Sequence, residues 1–135
     1  MFRGTYHNSV DDKGRTVLPA RLREQIHKEH ETPLVLTLGF DKCLYLYPLD
    51  VWKKIEEKLS SLDSLSPEVR LLQRTLLRAT DEIQIDAQGR IMISPILRKE
   101  AGIAKSVKFE LAAAPFTVEL SGTTAHALTF VVTPD

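Results

Sequence analysis

A chain of 135 residues, 43% apolar and 27% charged, holds one domain or two very small ones sharing a core, and its composition excludes a disordered or fibrous protein. No apolar run reaches the roughly 18 residues of a membrane span, and the opening MFRGTYHNSVDDKGR has no apolar export core, so neither membrane insertion nor export is expected. Formal net charge is zero, which weighs against a uniformly basic nucleic-acid binder. Residues 1–23 nevertheless carry Arg3, Lys13, Arg15, Arg21 and Arg23 against only Asp11 and Asp12, so the opening segment is locally basic.

In chain order, a strand over Thr5–Val10 meets the turn Asp11-Asp12-Lys13-Gly14-Arg15. There Asp11 can bond the backbone two residues on, and Gly14 supplies a positive φ without the cost of a Cβ. Thr16-Val17-Leu18 forms a second strand, Pro19 ends it, and Ala20–His27 is helical. Two strands follow, Leu34–Leu38 and Cys43–Tyr47, joined by a turn at Gly39–Lys42. The single cysteine, Cys43, reads as buried filler and fits a reducing cytoplasm.

A helical hairpin comes next. Asp50 is expected to cap a helix whose Val51, Trp52, Ile55, Leu59 and Leu62 form one stripe, with Trp52 a packing or subunit-contact residue. Asp63-Ser64-Leu65 connects to a second helix started by Ser66-Pro67-Glu68, in which Ser caps, Pro takes the first helical position and Glu sits at the positive dipole end. Val69, Leu72, Leu76 and Ala79 line one side of it. Arg70, Arg74 and Arg78 line another, as a solvated face or in pairs with acids such as Glu56 and Glu57.

The chain then repeats itself. Val10-Asp11-Asp12-Lys13-Gly14-Arg15-Thr16-Val17-Leu18 returns as Ile85-Asp86-Ala87-Gln88-Gly89-Arg90-Ile91-Met92-Ile93, and at the same offset Leu22 and Arg23 match Leu97 and Arg98. A strand over Glu82–Ile85, the turn at Asp86–Arg90 with Gly89, Pro95 and a helical Ile96–Ala101 repeat the earlier order. With a two-residue adjustment Leu34–Leu38 lies over Val107–Leu111, and more loosely Cys43–Tyr47 over Phe116–Leu120. The expected organisation is a first repeat at 1–48, a helical insert at 49–79, a second repeat at 80–121 and a divergent tail at 122–135.

D-x-K-G-R-x-x-x-P followed by R-x-R-E (residues 11–24), shortly after M-F-R-G, resembles the MraZ family of the SpoVT–AbrB superfamily; D-x-x-G-R-I-x-I-x-P-x-L-R (residues 86–98) is similar to that family's second signature. The resemblance spans roughly residues 1–107. It implies an α+β fold of tandem AbrB-like swapped-hairpin β-barrel units and ring-like homo-oligomers. It further implies sequence-specific binding to double-stranded promoter DNA of the division and cell wall gene cluster, in the cytoplasm at the nucleoid. Carried onto this chain, Arg15 is the main DNA contact with Lys13 beside it, Arg23 is a second-rank candidate, and Arg90 and Arg98 are their counterparts, with Gln88 where the first copy has Lys13. The ending departs from the pattern: 116–121 lacks the family's Trp and runs into a β-rich 127–132, as a lineage-specific terminus or as a shifted reading frame.

Against DNA contact stands the reading in which Arg15 merely pairs with Asp11 to hold the turn; one residue can do both, Asp shaping the loop while the guanidinium's remaining donors face phosphate or a guanine edge. His27-x-x-His30 has helical spacing but no third ligand, so no metal or other cofactor is expected. No nucleophile–base constellation or phosphate-cradling loop is visible, so the chain reads as a non-enzyme without a small-molecule substrate. The alternatives to a transcriptional regulator are an antitoxin-like protein, disfavoured by two β units and no acidic tail, and a structural ring-forming interaction protein.

Overall fold

The computed structural model describes residues 5–29, 33–120 and 123–135. In order the elements are β1 (Tyr6–Ser9), β2 (Arg15–Val17), α1 (Ala20–Glu29), β3 (Leu34–Leu38), β4 (Leu44–Pro48), α2 (Leu49–Ser61), α3 (Pro67–Leu77), β5 (Thr80–Ile83), β6 (Arg90–Met92), α4 (Pro95–Ala101), β7 (Ser106–Leu120) and β8 (Thr123–Pro134). The eight strands form a six-stranded antiparallel sheet in the order β1-β7-β8-β4-β3-β5 and a two-stranded ribbon of β2 with β6.

That order shows how the repeat folds. Exchanging each strand for its counterpart (β1 with β5, β3 with β7, β4 with β8) reads the sheet backwards, so a pseudo-twofold axis passes between β4 and β8 and through the ribbon. The first strand of each copy pairs with the third strand of the other, β1 on β7 and β5 on β3, and the second strands pair with each other. Neither copy can bury its apolar residues alone. The fold is α+β, two tandem units with interleaved hairpins. The described strands do not close into a barrel, however: β2 and β6 leave the large sheet for each other, and β1 and β5 remain its edges.

The register fixes which residues are equivalent. Tyr6 lies opposite Phe109 and its counterpart Asp81 opposite Leu36, so Leu36 and Phe109 correspond, as the two-residue adjustment requires. Leu36 in turn faces Leu46, and Phe109 faces Val132. The counterpart of β4 is therefore β8, not the 116–120 stretch matched to it from sequence. Residues 116–120 belong to the outer half of a long β7–β8 hairpin, and the stretch after residue 121 carries a sheet strand.

Every residue of β3 is buried because both faces of the sheet are covered. On one face Leu34, Leu36, Leu38, Leu44, Leu46, Phe109 and Val132 pack with Leu22 and Ile26 of α1, Leu97 and Ala101 of α4, and Ile91 and Ile93. On the other, Val35 and Tyr47 meet Val51, Trp52, Ile55 and Leu59 of α2 and Leu76 of α3. Trp52 is a packing residue, stacked on Tyr47 at 5.8 Å. Phe109 is fully buried, and truncating it to Ala would cost about 3–5 kcal/mol.

The helix ends follow local chemistry. Ser66 accepts from the Val69 amide with Pro67 at the first helical position, and Ser94 with Pro95 does the same for Leu97 in α4. α4 stops at Gly102, whose φ of 72° and amide bonds back into the last turn form a left-handed cap. Asp50 is not the cap of α2. β4 runs directly into the helix, Pro48 takes the cap position without a side-chain bond, and Asp50 stands in the first turn, where its charge favours the positive dipole end. The Thr37 hydroxyl donates to the carbonyls of Leu76 (2.6 Å) and Ala79 (3.2 Å), tying the end of α3 to the sheet. Arg70 donates to the carbonyls of Ser64 and Leu65 and Arg78 pairs with Glu100 of α4; the described ion pairs do not include Glu56 or Glu57. Cys43 is buried, its thiol donating to the Phe40 carbonyl and pushed up to about 11, first by burial and then by the nearby Asp41 charge.

Candidate nucleic-acid interface

Each repeat puts its Asp-x-x-Gly-Arg turn immediately before its ribbon strand. In the first, the Asp11 carboxylate accepts three bonds: from the amides of Lys13 (2.9 Å) and Arg15 (2.8 Å) and from Nε of Arg15 (2.7 Å). In the second, Asp86 accepts from the amides of Gln88 (2.9 Å) and Arg90 (2.8 Å) and from Nε of Arg90 (2.8 Å). The carboxylates are held below the usual aspartate range, first by the bond from the arginine amide; desolvation opposes this, and the arginine side chain and the Lys13 or Gln88 amide lower them further. Gly14 (φ 84°) and Gly89 (φ 76°) complete the turns by donating back to the Asp11 and Asp86 carbonyls.

The two turns are also locked to each other's repeat. Leu18 donates to the Gly89 carbonyl (2.9 Å) and Ile93 to the Gly14 carbonyl (2.8 Å). The Arg98 guanidinium of the second repeat lies against Gly14 of the first: a Cβ there would sit 2.8 Å from Nε and 2.9 Å from Cζ, besides overlapping the Ile93 carbonyl. The Arg23 guanidinium lies against Gly89 in the same way, where a Cβ would collide with Nη1. Arg98 is fixed further by donating from Nε to the Ile93 carbonyl at 3.0 Å. Arg23 and Arg98 are thus half-buried props behind the turns, one helix from each repeat supporting the opposite turn.

Between the turns runs the ribbon, with Arg15 opposite Met92, Thr16 opposite Ile91 and Val17 opposite Arg90. Period-two alternation buries Thr16 and Ile91 and turns Arg15, Val17, Arg90 and Met92 to the other face. Val17 is 46% and Met92 56% exposed, large values for apolar side chains. Asp12, Lys13, Ala87 and Gln88 are exposed at the turns. Both arginines spend Nε on their aspartates, with their side chains 34% (Arg15) and 28% (Arg90) exposed, and Nη2 of Arg90 also reaches Oε1 of Gln88 at 3.4 Å.

The structure therefore brings Arg15, Lys13, Arg90, Arg23 and Arg98 into one constellation around the ribbon. Sequence reasoning missed Val17 and Met92, although strict alternation in a three-residue strand was the available signal. It also missed that Arg23 serves Gly89 and Arg98 serves Gly14, for which a linear sequence carries no signal. Of the His27/His30 pair, His30 lies outside the described residues. Among the described residues no cluster of three or more His, Cys, Asp or Glu side chains is placed to hold a metal, and no helix is long and apolar enough to cross a membrane.

The chain matches the family model described as "MraZ protein, putative antitoxin-like" over residues 1–75 and 76–110, which together take in both turns and the ribbon. It is 42% identical over 118 residues to the "Transcriptional regulator MraZ" of Nitrosomonas europaea, covering 82% of this chain and 80% of that protein. It is 44% identical over 119 residues to proteins of the same name from Escherichia coli K12 and Sodalis glossinidius, covering 82% of this chain and 78% of theirs. The chain belongs to the MraZ family and is a transcriptional regulator, not an enzyme.

Proposed function

We propose that the protein regulates transcription by binding double-stranded promoter DNA sequence-specifically through Arg15, Lys13 and Arg90, with Arg23 and Arg98 adding basic charge from behind the turns. The observation that carries this reading is the pair of arginine turns at the two ends of one solvent-facing β-ribbon. A two-stranded ribbon fits the roughly 12 Å major groove, and arginine forks suit phosphate oxygens and guanine edges. In this reading residues 1–48 and 80–121 are the two DNA-facing repeats, with β8 completing the second, and 49–79 are the insert on the far face of the sheet. One ribbon neutralises few phosphates, so useful affinity requires several along a duplex, supplied by a homo-oligomer arranged as a ring. The site of action is the promoter of the division and cell wall gene cluster, in the cytoplasm at the nucleoid.

Fluorescence anisotropy with the gene's own upstream region, over a salt series, tests the proposal. Affinity should fall steeply with salt, and Arg15→Ala should bind more weakly by about ten-fold or more while circular dichroism and light scattering stay unchanged. Undiminished affinity of folded Arg15→Ala would remove the turn from the interface.

A further inference from the structure

Charge and turn geometry leave one feature of the ribbon unused: two large apolar side chains on its outward face. Resting on the DNA-binding reading above, we infer that Val17 and Met92 read thymine methyl groups in the major groove and so determine part of the sequence specificity.

The placement supports this step by step. Thr16 and Ile91 supply the ribbon's inward contacts, and the described residues of the two core clusters do not include Val17 or Met92 on the opposite face. Cross-strand pairing puts each beside an arginine of the other repeat, Met92 next to Arg15 and Val17 next to Arg90. An apolar pair flanked by cations matches a surface that is anionic at its margins and carries methyl groups at its floor, which is what a thymine-containing major groove offers. Val17 and Met92 lie diagonally, two residues along and one strand across, on the order of 8 Å apart. At about 3.4 Å per base step that spans roughly two steps, so the ribbon addresses two thymines within one short stretch. The pair is also unequal. Branched Val17 is stiff, whereas unbranched Met92 adapts its shape, so the Val17 contact is the stricter of the two.

The test is a cycle between protein and DNA. The wild type, Val17→Ala, Met92→Ala and the double variant are titrated with the upstream duplex and with the same duplex carrying deoxyuridine for thymine, which deletes only the methyls. Wild type should bind the uracil duplex about fifteen-fold more weakly, close to four-fold per methyl. Each single variant should keep part of that preference and the double variant almost none, all with the wild-type salt slope. Both side chains are exposed, so the variants should fold, and circular dichroism verifies it. Equal wild-type affinity for the two duplexes, or an undiminished thymine preference in the double variant, overturns the inference while salt-dependent binding leaves the DNA reading standing. Failure to bind any duplex overturns both.

Discussion

The two turns carry Asp, Gly and Arg at matching positions, with corresponding aspartate bonds agreeing to within about 0.1 Å, yet their remaining residues differ: Asp12 and Lys13 in one, Ala87 and Gln88 in the other. Three residues suffice to set the loop, and the two exposed ones are free to set its chemistry. Formal charge is balanced in both turns, so the difference between them is local. The first adds an exposed lysine beside an arginine whose Nε is bonded to its aspartate; the second draws Nη2 of Arg90 partly toward Gln88. Behind the turns the comparison changes. Gly14 is crowded by backbone as well as by Arg98, whereas Gly89 is crowded by the Arg23 side chain.

That last difference gives the largest expected effect. Ala at either position must adopt a left-handed φ, a penalty of roughly 1–2 kcal/mol. Gly14→Ala must in addition displace the Ile93 carbonyl and should cost about 3 kcal/mol or more in all, while Arg23 can swing away from Gly89→Ala. Equal losses in urea unfolding would show that the two turns are equally rigid.

On DNA, Arg15→Ala should weaken binding by about ten-fold or more and lower the logarithmic salt slope by about 1, with Arg90→Ala falling short of both. Gln88→Lys sharpens the contrast by giving the second turn the cation it lacks, and should raise affinity a few-fold with a steeper salt slope. If Arg90→Ala proves the more damaging, the second turn is the primary contact.

A smaller effect separates the ribbon's inward positions. The Thr16 hydroxyl is buried and has no hydrogen-bond partner among the described residues, while its counterpart is the apolar Ile91. Thr16→Val should therefore be neutral or raise stability by up to about 1 kcal/mol in chemical denaturation. A clear loss would mean the hydroxyl finds a partner in solution.

Acid titration should treat the turns alike. Both aspartates are depressed in the folded state, so their contribution is present above the unfolded value of about 4 and disappears as pH falls through the lower folded value. Asp11→Asn and Asp86→Asn should each flatten the acid limb of stability against pH, and by similar amounts. Unequal flattening would break the equivalence of the turns.

Much of this was legible in the chain because turns and helix starts are local devices. Asp11, Gly14 and Arg15 lie within five residues, and the bonds among them need nothing from elsewhere. The same holds for Ser66-Pro67. Asp50 misled because the cap signal ignores the strand arriving from upstream: β4 continues through Pro48, and the helix begins two residues early. Matching 116–120 with β4 failed for a related reason, since apolar alternation does not reveal which of two candidate strands a distant partner selects.

Sequence by itself determined the duplication, the two turns and their arginines, because each depends on contacts a few residues long. Tertiary structure alone decided that the copies interleave, that Arg23 and Arg98 each support the other copy's glycine, and that Val17 and Met92 face outward beside the opposite arginine. Those facts depend on register between strands some 75 residues apart. Register is chosen by burial on both sheet faces at once, a condition that no local window of residues contains.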